Sequence, residues 1–195
     1  MNSLQAIADN LIYSLNRYMN QRQQKREAKL EGQCRILAEI VAAIKPVYSK
    51  ADPNQKAFIE TMVGAAIWYI PKPSSAWTGR VSIGALKAFH PDSGHPKPKF
   101  SEEHVYPRKV AARLLLENKS IDGSDLSTLF KEKYGRLHLI TPDENKSVQP
   151  HQRANVFTTP YAAYSKAGIV LIEVANHELS LVKRRDRKTI ERYLK

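Results

Sequence analysis

The chain has 195 residues, 42% of them hydrophobic, which suits a single domain with a substantial core. Its 31 lysines and arginines outnumber 19 acidic residues and give a net charge of +12, so a polyanion such as nucleic acid is the favoured partner. A single cysteine, Cys34, excludes an internal disulfide and paired-cysteine zinc knuckles. The sequence has neither a signal-peptide pattern nor an apolar run of membrane-spanning length, so we expect a cytoplasmic protein without a membrane partner.

The N-terminal part of the chain is predicted to be helical. Apolar residues recur every three or four positions in Leu4–Tyr18 and again in Leu30–Ile44, and Pro46 is expected to end this helix, which we place at 3–45. The intervening residues 20–29 are almost free of apolar side chains, which is typical of a solvated helix face or of a mobile elbow between two shorter helices.

A second helix is expected at Asp52–Ile70, with Asp52 as the N-cap and Pro53 at the first helical position. Residues 1–70 would then form a helical region that packs against the rest of the chain and offers a surface for dimerisation.

The middle of the chain is predicted to alternate loops with short elements. Residues 71–98 are rich in proline, and Trp77–Leu86 within them indicates a short strand or turn that leads into a helix. A helix is predicted to begin after Thr141, because this capping threonine is followed by Pro142 and two acids. The remaining expected elements are helices at 111–117 and 125–133, strands at 136–141 and 169–174, and an irregular segment at 157–164.

The C-terminal residues 178–195 are predicted to form one strongly basic helix. Its cations include Lys183, Arg184 and Arg185. Such a helix either lies along a phosphate backbone, where cations give sequence-independent affinity, or is an ordinary solvated terminus. We favour contact with phosphate, because the net charge of the whole chain agrees with it.

Two polar segments carry side chains suited to phosphodiester cleavage. Phe100–Arg113 holds Glu103 and His104, and Leu137–Arg153 follows downstream with a second set of polar groups. Cleavage requires a nucleophile made from water, neutralisation of phosphate charge and a fixed geometry. Histidine is the natural base near neutral pH, and carboxylate or amide oxygen binds a hard divalent ion. Since neighbouring strand residues point to opposite sides, Glu103 is expected to face a metal ion while His104 faces the attacking water.

The order of these groups resembles the HNH, or ββα-metal, endonucleases without a zinc knuckle. The resemblance lies in Glu103–Arg108 on the first strand and in Thr141–Asn145 at the start of a helix. It implies that Glu103 binds a metal ion, that His104 is the general base, and that Asn145 completes the ion site. Either His151 or Glu144 is the alternative to Asn145 for that last position.

The resemblance implies Mg²⁺ or Mn²⁺ as the cofactor. It also implies that basic side chains near the two motifs hold the phosphates, and the net charge extends this expectation to the rest of the chain. The cations expected to contact nucleic acid are Arg80, Arg108, Lys109, Lys146, Arg153, Lys183, Arg184 and Arg185.

The sequence as a whole therefore predicts an α+β fold, mostly helical, with a small central ββα core. The expected regions are 1–70 (helical), 71–175 (nuclease core with loop insertions) and 176–195 (basic helix). The expected function is a metal-dependent DNA endonuclease of restriction or phage type. It would act on double-stranded DNA as a homodimer, because two strands need two sites. The alternatives are a non-catalytic basic DNA- or RNA-binding protein and a helical scaffold that pairs through residues 3–45.

Overall fold

The computed structural model describes residues 2–118 and 121–195, and for residues 2–16 it describes the backbone alone. Within that part of the chain the fold is α+β and mostly helical, with one small mixed sheet, as the sequence predicts. The helices are α1 (Asn2–Lys50), α2 (Pro53–Tyr69), α3 (Ile83–Phe89), α4 (Arg108–Glu117), α5 (Gly123–Leu129), α6 (Pro142–Val148), α7 (Pro160–Lys166), α8 (Leu179–Lys183) and α9 (Arg187–Leu194). The strands are β1 (Trp77–Ser82), β2 (Ser101–His104), β3 (Leu137–Ile140) and β4 (Leu171–Glu173).

The sheet has the strand order β2-β3-β1-β4, so that β2 is an edge strand. Strand β2 runs antiparallel to β3, with Glu103 opposite His138 and His104 opposite Leu137. Strand β3 runs parallel to β1, and β1 runs antiparallel to β4. All four residues of β3 are buried, and β3 is followed directly by α6. Strands β2 and β3 and helix α6 therefore form the predicted ββα unit, with α4 and α5 in the connection between its strands.

The largest group of buried apolar side chains, which we call the first core, lies among α1, α2, α4 and α5. It includes Cys34 and Val41 of α1, Val63 of α2, Leu115 of α4 and Leu126 of α5. Cys34 is fully buried, as its apolar stripe predicts. The first core crosses the predicted boundary at residue 70, because α4 and α5 pack on the N-terminal helices.

The sheet packs on two further groups of buried side chains. One contains residues of β1 and α3 together with Val182 of α8 and Ile190 of α9. The other joins Ile140 of β3 to Val148 of α6 and Tyr164 of α7. The sheet is thus covered on the side of α6, which fixes the position of that helix relative to β2 and β3.

The prediction that Pro46 ends the first helix is wrong, since α1 continues through Pro46 to Lys50. Proline removes one helical hydrogen bond, but packing holds the last turn in place. Tyr48 in that turn is buried and donates a hydrogen bond from its hydroxyl to Glu60 Oε1 of α2 at 2.9 Å. Asp52 caps α2 in a capping box with Gln55, and Pro53 is its first residue, as predicted.

The polar stretch at residues 20–29 is a solvated part of one continuous helix, which excludes the alternative of an elbow. Residues 17–26 are all exposed, and Tyr18 of the predicted apolar stripe is among them. The members of that stripe from Leu4 to Leu15 lie outside the residues whose side chains are described. None of the helices in residues 2–118 and 121–195 combines the length and apolar character that crossing a lipid bilayer requires.

Two predicted segments near the C-terminus differ from the structure. Residues 157–164 were expected to be irregular, but α7 begins at Pro160 with Thr159 as its cap. The single helix expected at 178–195 is two short helices, α8 and α9. Arg185 interrupts them in a left-handed backbone conformation with φ of 64°, and Asp186 caps α9 by accepting a hydrogen bond from Thr189 N.

Candidate active site

A cavity of about 1110 Å³, which we call the first cavity, lies beside the edge strand β2. Both polar segments of the sequence contribute to its wall. The residues that matter for chemistry are Trp68 of α2, Glu103 and His104 of β2, Arg108 and Lys109 of α4, Asn145 of α6, and Gln152 and Arg153 after α6. The structure therefore brings together the acid, the histidine and the asparagine that the sequence singles out.

Glu103 and His104 line the same cavity, whereas the alternation of a strand predicted that they face opposite sides. The edge position of β2 accounts for the difference. Within the described residues no strand covers its outer side, and β2 ends at His104, so the cavity reaches both side chains.

A capping box at the start of α6 fixes the helix that carries Asn145. Thr141 Oγ1 accepts a hydrogen bond from Glu144 N at 3.1 Å, and Glu144 Oε2 accepts one from Thr141 N at 2.8 Å. Glu144 Oε2 also accepts from the Ser82 hydroxyl at 2.5 Å. These contacts occupy the Glu144 carboxylate, and Glu144 does not line the first cavity. Glu144 is therefore not suited to be the alternative metal ligand.

The two polar atoms of the Asn145 amide differ in their hydrogen bonding. Its Nδ2 donates a hydrogen bond to Ser101 Oγ of β2 at 2.7 Å, which ties α6 to the edge strand. Its Oδ1 is buried and accepts no hydrogen bond from any described residue. A buried acceptor without a partner is costly unless a ligand satisfies it. His151 lies in the 3₁₀ turn Gln149–Gln152 and does not line the first cavity, so Asn145 is the better placed of the two.

The surroundings of Glu103 favour its neutral form. Partial burial raises the pKa of Glu103 to about 7, against the influence of Gln152 and Arg108. The Gln152 amide nitrogen makes no hydrogen bond of normal geometry with any described residue, although it lies near this carboxylate. A carboxyl group held in this state has a strong preference for a cation beside it.

The surroundings of His104 keep its ring uncharged. Burial, together with the positive charges of Arg108 and Lys72, lowers the pKa of His104 to about 4. The centroid of the His104 ring lies 6.5 Å from the centroid of the Trp68 ring. The Arg108 guanidinium carbon lies 4.2 Å from the same Trp68 centroid. His104 is therefore a neutral imidazole at neutral pH, with a nitrogen free of a proton. Sequence reasoning missed Trp68, because nothing in its helical stretch indicates that it approaches β2.

The donor set of the first cavity fits one hard divalent cation. In the described part of the chain, no three His, Cys, Asp or Glu side chains cluster in a way that would hold a metal ion. Mg²⁺, however, keeps several water ligands and needs only one or two protein oxygens together with substrate phosphate. The Glu103 carboxylate and the unpartnered Asn145 Oδ1 supply oxygens of that kind.

The other cations proposed for nucleic-acid contact are spread over the molecule. Arg108, Lys109 and Arg153 line the first cavity, whereas Lys146 is exposed on α6 and pairs with Asp143 at 3.5 Å. Arg80 lines a different cavity.

The C-terminal cations lie away from the first cavity. Lys183 and Arg184 are exposed at the end of α8. Arg185 donates hydrogen bonds from Nη2 to the backbone oxygens of His90 and Pro91, so its charge serves the fold. No protein-family model, curated protein or solved structure matches the chain.

Proposed function

We propose that the protein is a metal-dependent endonuclease that hydrolyses phosphodiester bonds in DNA. The observation that carries the proposal is that Glu103 and His104 of β2 line the same cavity as Asn145 of α6, the helix that follows β3, the antiparallel partner of β2. This is the order of elements and residues that the resemblance to HNH endonucleases requires. The cations around the cavity, with the net charge of +12, suit a polyanionic substrate.

In this proposal His104 is the general base. Its neutral ring accepts a proton from the water that attacks phosphorus. The positive charges of Arg108 and Lys72 depress the pKa of His104 in the free protein. A bound phosphate offsets those charges, and His104 then becomes a stronger base in the presence of substrate than in its absence. Base strength is thus coupled to substrate binding.

Glu103 and Asn145 would hold the Mg²⁺ or Mn²⁺ ion. The ion supplies charge neutralisation at the phosphate and at the leaving oxygen. Arg108, Lys109 and Arg153 hold the phosphate through charge-assisted hydrogen bonds, because all three line the same cavity. Trp68 supports this arrangement by holding the Arg108 guanidinium against its ring.

We extend the proposal to duplex DNA cut by a homodimer of restriction type. Each chain offers one site of this kind in its described residues, and cleavage of both strands of a duplex requires two.

The test is plasmid cleavage with Mg²⁺ or Mn²⁺ against EDTA, using the protein and its His104→Ala variant. We expect metal-dependent cutting that the variant loses by about 100-fold or more, with DNA binding retained, because only proton transfer is removed. His177→Ala is the control, since that side chain is exposed and lies outside the first cavity. Equal cutting by both variants would contradict the role of His104. Salt-sensitive binding without cutting by either protein would favour the non-catalytic nucleic-acid-binding function.

A further inference from the structure

A second cavity, of about 740 Å³, lies on the other side of the turn that follows β2. Its wall is built by β1, β3, the end of α5, the start of α7 and the segments between them. The residues that give it its chemical character are Arg80, Tyr106, Lys133, Arg136, His138 and Tyr161.

The second cavity carries an excess of positive charge. Arg80, Lys133 and Arg136 line it, and Glu132 is the acid in its wall. Among the described residues, none of the three cations forms an ion pair. The Nε of Arg136 is buried without a hydrogen-bond partner in the same part of the chain. Cations held together in this way repel one another, and an anion between them removes that cost.

Two aromatic rings stand among these cations. The Arg80 guanidinium carbon lies 5.0 Å from the ring centroid of Tyr161, and Arg80 also donates a hydrogen bond to the Tyr161 hydroxyl. Lys133 Nζ lies 4.6 Å from the ring centroid of Tyr106. Tyr161 is 61% exposed, which leaves a ring surface open to a ligand. Cations that hold a phosphate beside an open aromatic ring match the two halves of a nucleotide.

The second cavity adjoins the first. His104 and Pro107 line the first cavity, while Val105 and Tyr106, between them in the chain, line the second. In addition, Glu103 of the first cavity lies directly opposite His138 of the second across β2 and β3. Directly opposed residues project from the same face of a sheet. The two cavities therefore lie next to each other, on either side of the short segment 104–107.

We propose that the second cavity binds an unpaired nucleotide of the substrate strand, next to the phosphate that is cut. Arg80, Lys133 and Arg136 take its phosphate, and its base stacks on Tyr161. The substrate class is then a duplex whose bases are unpaired beside the cut, so the duplex of the proposed function has to open at this point. This inference rests on the proposed endonuclease function and specifies its substrate.

The test measures binding alone, by fluorescence anisotropy of a labelled single-stranded oligonucleotide of about ten nucleotides in EDTA, where no cutting occurs. Tyr161→Ala and Arg80→Gln are each expected to weaken binding by roughly 5- to 100-fold. Tyr161→Phe keeps the ring and should retain most of the affinity, which separates stacking from a defect in folding. Tyr69→Ala and Lys188→Gln are the controls, because they remove an exposed tyrosine and an exposed cation outside both cavities.

Unchanged affinity in Tyr161→Ala and Arg80→Gln, or an equal loss in the two controls, would overturn the proposal. If the nucleotide site is overturned in this way, plasmid cleavage in Mg²⁺ that depends on His104 would still support the endonuclease function. Conversely, affinity lost only in the two cavity variants, without cleavage by the unmodified protein, would support the nucleotide site and remove the endonuclease function.

Discussion

Asn145 combines an anchoring contact with a free acceptor. The bond from its Nδ2 to Ser101 Oγ positions the side chain, while the buried Oδ1 remains available. We predict that Asn145→Ala raises the Mg²⁺ concentration needed for half-maximal cutting by about 10-fold or more. Asn145→Asp keeps an oxygen in place and should lose much less. A Mg²⁺ titration of plasmid cleavage measures the effect. Ser147→Ala on the same helix is the control, and an equal change there would contradict the role of Oδ1.

His138 makes the stability of the protein depend on pH. Burial lowers its pKa to about 4, and the positive charges of Arg80 and Arg136 add to the shift. The unfolded chain therefore takes up a proton near pH 6.5, where the folded protein does not. The contribution of His138 to stability is complete above pH 6.5 and is lost as the pH falls toward 4. The loss amounts to about 3 kcal/mol at most.

The His138→Gln variant should lack this part of the pH dependence. Chemical denaturation at pH 7 and pH 4.5 measures the free energy of unfolding of both proteins. We expect the unmodified protein to lose more stability between these two pH values than the variant does. Equal losses would show that His138 does not carry the effect. His104 also has a lowered pKa and the same sign, so the difference between the two proteins is the informative quantity.

The sequence predicted the residues of the first cavity that belong to local motifs. Glu103 and His104 are adjacent in the sequence. Asn145 follows Thr141 and Pro142, a pair that indicates the start of a helix. Trp68 could not be predicted, because it reaches the cavity only through the packing of α2 beside β2. Gln152 lies within the second polar segment, but its residue type gave no sign of a role at the site. The preference for Asn145 over Glu144 also needed the structure, since it depends on the contact of Glu144 with Ser82.

At the scale of elements, the starts of α3 and α6 are coupled. Ser82 caps α3 by accepting a hydrogen bond from Ala85 N, and its hydroxyl donates to Glu144 of α6. Gly84 in α3 lies so close that an added Cβ would come within 2.8 Å of Glu144 Cδ. That carboxylate cannot move without breaking the bonds that cap α6. The two helices are thus held by one shared hydrogen-bond network.

We predict that Gly84→Ala destabilises the protein by about 1–3 kcal/mol, because it displaces Glu144 from its cap. The usual effect of this substitution within a helix is the opposite. Gly32→Ala in α1 is the matched control, since nothing lies within 4 Å of its added Cβ. It should stabilise by roughly 0.5–1 kcal/mol. Thermal or denaturant unfolding measures both, and a stabilising Gly84→Ala would refute the coupling.

The elements were predictable where the signal is local. The Thr-Pro start of α6 was recognised, while the same signal at Thr159 and Pro160 was missed and α7 with it. The passage of α1 through Pro46 and the break at Arg185 depend instead on tertiary contacts. Tyr48 holds the last turn of α1 against α2, and Arg185 bonds to backbone oxygens far away in the sequence.

At the scale of the whole molecule, the basic side chains differ in whether an acidic side chain forms an ion pair with them. Arg108 and Lys109 line the first cavity without an ion pair to any described residue. Arg187 pairs with Asp92, and Arg192 pairs with Glu178. Phosphate contacts release counterions, whereas cations already paired contribute little to the salt dependence of DNA binding.

We predict that the double variant Arg108→Gln/Lys109→Gln reduces the slope of log K against log salt by up to about 2 units. The double variant Arg187→Gln/Arg192→Gln removes the same net charge and should leave the slope nearly unchanged. Binding of duplex DNA in EDTA at several salt concentrations measures both slopes. Equal reductions would mean that net charge, and not the first cavity, governs association.

The fold class followed from the sequence, but the topology did not. The parallel pairing of β1 with β3 and the central position of β3 require contacts between segments about 60 residues apart. Short strands carry too little pattern to specify such a partner. The charge of the chain, in contrast, is a property of composition alone and needed no structure.

The first core is shared between α1 and α2 on one side and α4 and α5 on the other, and this sets the order of events during synthesis. The ribosome completes α2 well before it reaches α4. The apolar face of the first two helices therefore remains exposed for a time on the order of seconds. A nascent chain that stops at residue 70 therefore exposes the apolar face that α4 and α5 cover in the folded protein. One that has emerged beyond residue 134 can close its first core before the sheet exists.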